Sequence, residues 1–229
     1  MACILNIETS TNICSVAVVD EGHVIWNEED HSGPNHAVTL GVYVDQALSF
    51  IDNSGLQLEA VAVSGGPGSY TGLRIGVSMA KGTCYGRDAK LIAVPTLEAM
   101  CVSLLLDEKV PEDALLCPML DARRMEVYAQ IFDRGLRSIR DIQADIIDEN
   151  SYKEILDKQP VYFFGPGAEK CESVITHPNA HFLIGIEPLA RDMAPLATKR
   201  FYKGQFEDVA YYVPFYLKEF QATLPKKLI

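Results

Sequence analysis

The chain has 229 residues, 48% hydrophobic and 22% charged, enough to bury a full-sized core as one domain or two small lobes. No run approaches the ~18 apolar residues of a membrane helix, and residues 1–9 enter a strand pattern with no basic region before it, so the expectation is a cytoplasmic chain without membrane contact. The net charge of −11, from 31 acidic against 20 basic side chains, argues against RNA binding by the chain alone, because that affinity rests on Lys and Arg neutralising phosphates.

Apolar runs at 3–8 and 15–20 and a more polar run at 23–28 are divided by a turn-rich stretch, residues 9–12, and by Glu21-Gly22. They predict a three-stranded antiparallel meander. A helix follows over 38–52 with Gly55 as its terminator, then a buried-type strand at 60–64, a helix at 71–85, a strand at 91–94 and a helix at 96–106. Three strands followed by alternating helix and strand is the order of the ribonuclease-H-like lobe, the unit of the actin, Hsp70 and hexokinase architecture. The second half reads as strands at 115–120, 125–132 and 161–164, a short helix at 152–157, a strand-like stretch at 181–186 and a mainly helical stretch at 187–202. The expectation is an α/β, actin-like fold of two lobes with a reduced second lobe. Residues 1–105, completed by 206–229, form the first lobe and 106–205 the second, joined by a short crossover near 103–110. The six cysteines, Cys3, Cys14, Cys84, Cys101, Cys117 and Cys171, lie far apart without a CxxC pair and read as free thiols in a reducing compartment. Lys226-Lys227 reads as a solvated tail.

Residues 65–82, GGPGSYTGLRIGVSMAKG, carry the strongest local signal. A strand ends in a Gly-Pro turn and a helix opens at Thr71, so the loop is either a tight strand-to-helix turn or a cradle where free amides meet an anion. It matches neither the Walker pattern nor a properly placed GxGxxG. His177 and His181 are four apart, but Pro178 and Asn179 between them favour a loop, and metal binding there is disfavoured. His31 and His36 are five apart across Gly33-Pro34, which excludes a shared helical face. No HExxH, GxSxG or Cys/His pattern supports a hydrolase. On the first helix Leu40, Val44, Ala47, Leu48 and Ile51 form the inner face, leaving Val38 and Val42 among polar residues. On the second, Leu73, Val77, Ala80 and Cys84 face inward, leaving Ile75 and Met79 beside Gly72, Gly76 and Gly82. These outer faces are either covered by the second lobe or offered to a partner.

GPGSYTGLRIG at 66–76 resembles the signature of the TsaB (YeaZ) family. ILNIETSTNICSVAV at 4–18, DARRMEVYAQIF at 121–132 and VPFYL at 213–217 resemble further family segments in the family order. The resemblance implies an actin-like fold and a role as non-catalytic paralogue of TsaD, within the glycoprotease (M22-like) group. TsaD carries a metal motif similar to Val-Asn-His-Leu-Glu-Ala-His. The corresponding stretch here, residues 94–100, has Thr96 and Met100 in the two histidine places, so no metal is expected. Glu8, with Gly66, Gly68 and Ser69, is at most a vestigial, weak ATP/Mg site, the role of Glu8 being read as structural.

The function the resemblance implies is binding and activation of a TsaD-type subunit for threonylcarbamoyl transfer to N6 of adenosine 37 of tRNA (t6A formation). The chain itself would not be an enzyme. A TsaE-type ATPase is a further implied partner, tRNA would be met only through the complex, and a homodimer is expected in isolation. Val38, Val42, Gly72, Ile75, Gly76 and Met79 are the predicted interface residues. The alternatives are an ATP-dependent phosphotransferase using Glu8 and the glycine loop, and an M22-like metalloprotease, which Thr96 and Met100 disfavour.

Overall fold

The computed structural model describes residues 2–33, 35–107 and 110–218. β1 (Cys3–Glu8) is buried along its whole length and lies at the centre of a sheet. It pairs antiparallel with β2 (Cys14–Asp20), which pairs antiparallel with β3 (His23–Asp30). On its other side β4 (Leu58–Ser64) and then β5 (Lys90–Val94) join in parallel, giving the order β3-β2-β1-β4-β5. Parallel neighbours require crossovers, and α1 (His36–Asn53) and α2 (Tyr70–Arg87) supply them.

The sheet is covered on both faces, which is why β1 is buried throughout, the polar Asn6 and Glu8 included. Leu5 and Ile7 pack against Leu40 and Val44 of α1 and Val77 and Ala80 of α2. Ile4 points the other way, toward Ala99 and Val102 of α3 (Thr96–Asp107). The opposite side of α3 carries Leu97, Met100, Cys101 and Leu104 onto Leu116, Leu120, Phe132 and Phe164 of a second sheet. One helix is therefore the wall shared by both lobes.

The second sheet is built of β6 (Leu115–Asp121), β7 (Glu126–Phe132), β8 (Ser138–Ile146), β9 (Val161–Phe164) and β10 (Ala180–Leu183). Its order, β10-β9-β6-β7-β8, repeats the first: an antiparallel meander, then two parallel strands beyond the first. Its crossover helices shrink to single turns, α4 (Lys153–Leu156) and α5 (Glu169–Glu172), so this lobe is the reduced one.

Sequence reading gave residues 187–202 to the second lobe, and the structure corrects that. A 3₁₀ turn, Ala190–Met193, and α6 (Ala194–Tyr202) pack Met193, Leu196 and Ala197 on the Ile4 and Ile92 face of the first sheet. That face is left open by α1 and α2 and is covered jointly by α3 and α6. Asn6 Nδ2 donates to Ala190 O at 3.0 Å and Ala190 N donates to Ser15 Oγ at 2.9 Å, fixing the chain there. Further on, Glu207 N donates to Leu91 O at 2.8 Å, so the C-terminal segment covers the β5 edge. Lys226-Lys227 lies outside the described residues. All six cysteines are free and buried, and burial pushes the Cys84 thiol up to about 11. No described helix is long and apolar enough to cross a membrane.

Candidate functional site

The glycine segment makes its close approaches to its own chain. Gly65 O accepts from Phe215 N at 2.8 Å, and a Cβ at Gly66 would overlap Phe215 O. A Cβ at Gly68 would overlap Ser10, whose carbonyl accepts from Ser69 N at 2.7 Å. Ser69 Oγ caps α2 by accepting from Gly72 N at 3.2 Å. Glu8 ends β1 fully buried, where Ser10 N donates to its Oε1 at 2.5 Å while Oε2 finds no partner among the described residues. Burial pushes its carboxyl above the usual range, against the hydrogen bonds from Ser10. Ser10 thus bridges Glu8 and Ser69, whereas Gly66 belongs to the contact with Phe215.

Gly72 and Gly76 are a correction. They were expected on the outer surface, but both are buried, and a Cβ at either would overlap Thr9. The turn between β1 and β2 crosses α2 here, and Thr9 Oγ1 donates to Gly72 O at 2.8 Å.

The positions aligned with metal ligands are packed or hydrogen bonded within the fold. Thr96 N donates to Gly66 O at 3.0 Å while its buried Oγ1 finds no partner among the described residues, and Met100 is fully buried against Gly165. Among the described residues no group of three or more His, Cys, Asp or Glu side chains could hold a metal ion. His177 lies 3.2 Å from Asp157 while the His181 ring stacks on Tyr162, so the two histidines serve different neighbours. His36 is buried, with Nε2 2.7 Å from Thr11 O.

An open groove lies between α1 and α2. It encloses about 850 Å³ and is lined by Gly41, Asp45 and Leu48 of α1 and by Ile75, Met79 and Gly82 of α2, among others. Beside it Val38 and Val42 stand 75% and 52% exposed. Arg87 closes one end with two hydrogen bonds to Asp52, 2.7 and 2.9 Å, while Arg74 lies over the Tyr70 ring near the start of α2. Gly82 and Gly86 are exposed, and a Cβ added to either would meet nothing within 4 Å. Ser78 and Gly86 continue the α2 lining and Gly41 the α1 lining; the sequence reading missed all three. The signal was present as spacing, since residues 78, 82 and 86 are small and recur every four positions, one helical turn apart.

Two sheets of identical strand order sharing one helix define an actin-like, two-lobed α/β protein with a reduced second lobe. A family profile described as "TsaD: tRNA N6-adenosine threonylcarbamoyltransferase" matches residues 30–224. The chain is 34% identical to the "tRNA threonylcarbamoyladenosine biosynthesis protein TsaB" of Bacillus subtilis, over 71% of this chain and 70% of that protein. It is 28% identical to the protein of the same name from Escherichia coli, over 94% of each chain. The solved structure of YeaZ from Pseudomonas aeruginosa has the same fold, with a TM-score of 0.80 and 24% identity over 95% of this chain and all of that one. The chain belongs to the TsaB (YeaZ) family, a branch of the wider TsaD family.

Proposed function

We propose that this chain is a non-catalytic subunit of tRNA threonylcarbamoyladenosine formation, docking through α1 and α2 onto a TsaD-type protein and enabling it to modify N6 of adenosine 37. The observation that carries this is Gly82, inside α2, with Gly86 one turn on at the end of the helix. Glycine in a helix interior costs roughly 0.5–1 kcal/mol relative to alanine. Nothing in the described chain comes near enough to require their smallness. A helix of another protein, laid close along the groove, supplies the reason. The exposed Val38 and Val42 give that helix apolar surface, and Ile75 and Met79 form the groove floor. The names of the relatives, biosynthesis proteins for this tRNA modification, support the pathway.

Catalysis and metal are assigned to the partner, because Thr96 and Met100 offer no imidazole where TsaD-type proteins place histidines. A TsaE-type ATPase is a further proposed partner, and the chain works in the cytoplasm. It needs no cofactor of its own, Glu8, Gly66, Gly68 and Ser69 being at most a vestigial nucleotide site. Without its partner the same face would pair two copies of the chain. Val42→Arg combined with Met79→Arg places two charges in the face, one at the exposed Val42 and one at Met79, which is half-buried at the edge of the first core. Size-exclusion light scattering should show a folded chain that no longer co-elutes with the catalytic protein, whereas undiminished pairing would refute the docking face.

A further inference from the structure

Five arginines hold carboxylates: Arg87 with Asp52, Arg137 with Asp133, Arg140 with Asp145, Arg191 with Glu29 and Arg200 with Glu98. Arg74, which lies over the Tyr70 ring, and Arg134 do not, and neither do Arg123 and Arg124, which alone of these are adjacent. Arg123 and Arg124 are exposed in the turn joining β6 and β7, and neither forms an ion pair among the described residues. The acids at the two ends of the turn are already occupied, Asp121 by Lys170 and Glu126 by Lys218. The charge of the arginine pair therefore stands unopposed on a chain whose net charge is −11.

Their backbone is as unusual as their charge. Both residues are left-handed, with φ of +73° and +51°, a conformation that turns normally give to Asn, Asp or Gly. The turn is held by Arg123 N donating to Asp121 Oδ1 at 2.8 Å, Ala122 N donating to Glu126 O at 3.0 Å and Glu126 N donating to Arg123 O at 3.1 Å. Two long cationic side chains in strained positions that Asn-Gly would fill without strain point to a use for the guanidinium groups. The location is informative too. Lys218, which takes Glu126, is two residues from Tyr216, whose ring centroid lies 4.9 Å from that of Tyr70 at the start of α2. The segment 216–218 thus links the end of the turn, at Glu126, to the start of the docking helix, at Tyr70.

We infer that Arg123 and Arg124 contact the phosphate backbone of the RNA substrate once the chain is docked. This rests on the function proposed above. A row of phosphates suits two neighbouring exposed guanidiniums, each able to grip one by paired N–H donors. The acidic remainder of the chain explains why the contact needs the docked partner to bring the RNA in.

The test uses the assembled pair of this chain and its TsaD-type subunit, with an unmodified tRNA transcript as probe. Arg123→Gln with Arg124→Gln should leave the protein pairing intact and lower the slope of log affinity against log salt by about 0.7–0.9 per arginine lost. Arg123→Asn with Arg124→Gly relieves the left-handed positions, so it should raise the melting temperature of the chain and still lose the same RNA affinity. An unchanged salt slope in both variants overturns the inference. Lost protein pairing with an unchanged slope overturns it too and assigns the turn to an acidic face of the partner. If the unsubstituted chain fails to pair with the subunit at all, the underlying function falls and this inference with it; if pairing holds, the inference stands or falls alone.

Discussion

The glycines of α2 do opposite work within one helix. Gly72 and Gly76 are small because Thr9 lies against them, so Gly76→Ala should destabilise the chain by about 1–3 kcal/mol through overpacking. Gly82 faces open groove, so Gly82→Ala should stabilise it by about 0.5–1 kcal/mol. Urea denaturation of the two variants checks both, and a loss at Gly82 as large as at Gly76 would contradict the open groove. The sequence displayed these glycines as one group, and their directions depend on where the turn between β1 and β2 crosses the helix, a long-range contact that helical spacing does not encode. Glu8 gives a second test at this scale. Burial raises its folded pKa above the unfolded value, so the folded state holds the proton more tightly. Its contribution to stability is therefore present below the unfolded pKa and lost as pH rises through the folded one. Glu8→Gln should gain more stability over the parent at pH 8 than at pH 5, measured by denaturation at both. An equal difference at the two values would show that Glu8 keeps an unperturbed pKa.

Elements with a clean apolar stripe were legible: α1 and α2 lie within two residues of their predicted limits, and their predicted inner faces are the buried ones apart from the half-buried Leu48. β8 was not, because it carries Arg140 beside Ile142 and Ala144 and breaks the apolar alternation, the charge being met on the same strand by Asp145. The turn to α6 was placed in the wrong lobe because amphipathicity names a face to bury and not the sheet that buries it. The floor of the groove and its end clamp have separable roles. Gly82→Leu fills the floor and should abolish pairing with the catalytic subunit while the chain stays folded. Arg87→Ala removes only the solvent-exposed pair with Asp52 and should leave the unfolding midpoint nearly unchanged. Calorimetric titration of each variant into the catalytic subunit, with circular dichroism for folding, separates the two; retained pairing in Gly82→Leu would count against a helix lying in the groove.

At the scale of the molecule, a duplicated lobe whose second copy has lost its long crossovers keeps the frame of an actin-like protein, while the described glycine segment contacts its own chain. The α1 and α2 face, among the described residues, stays open. The most direct measurement is threonylcarbamoyl transfer to tRNA by the TsaD-type subunit, alone, with this chain, and with its Gly82→Leu variant. The account predicts little transfer by the subunit alone, full transfer with the chain and a return to the low level with the variant. Equal transfer with the chain and the filled-groove variant would contradict it.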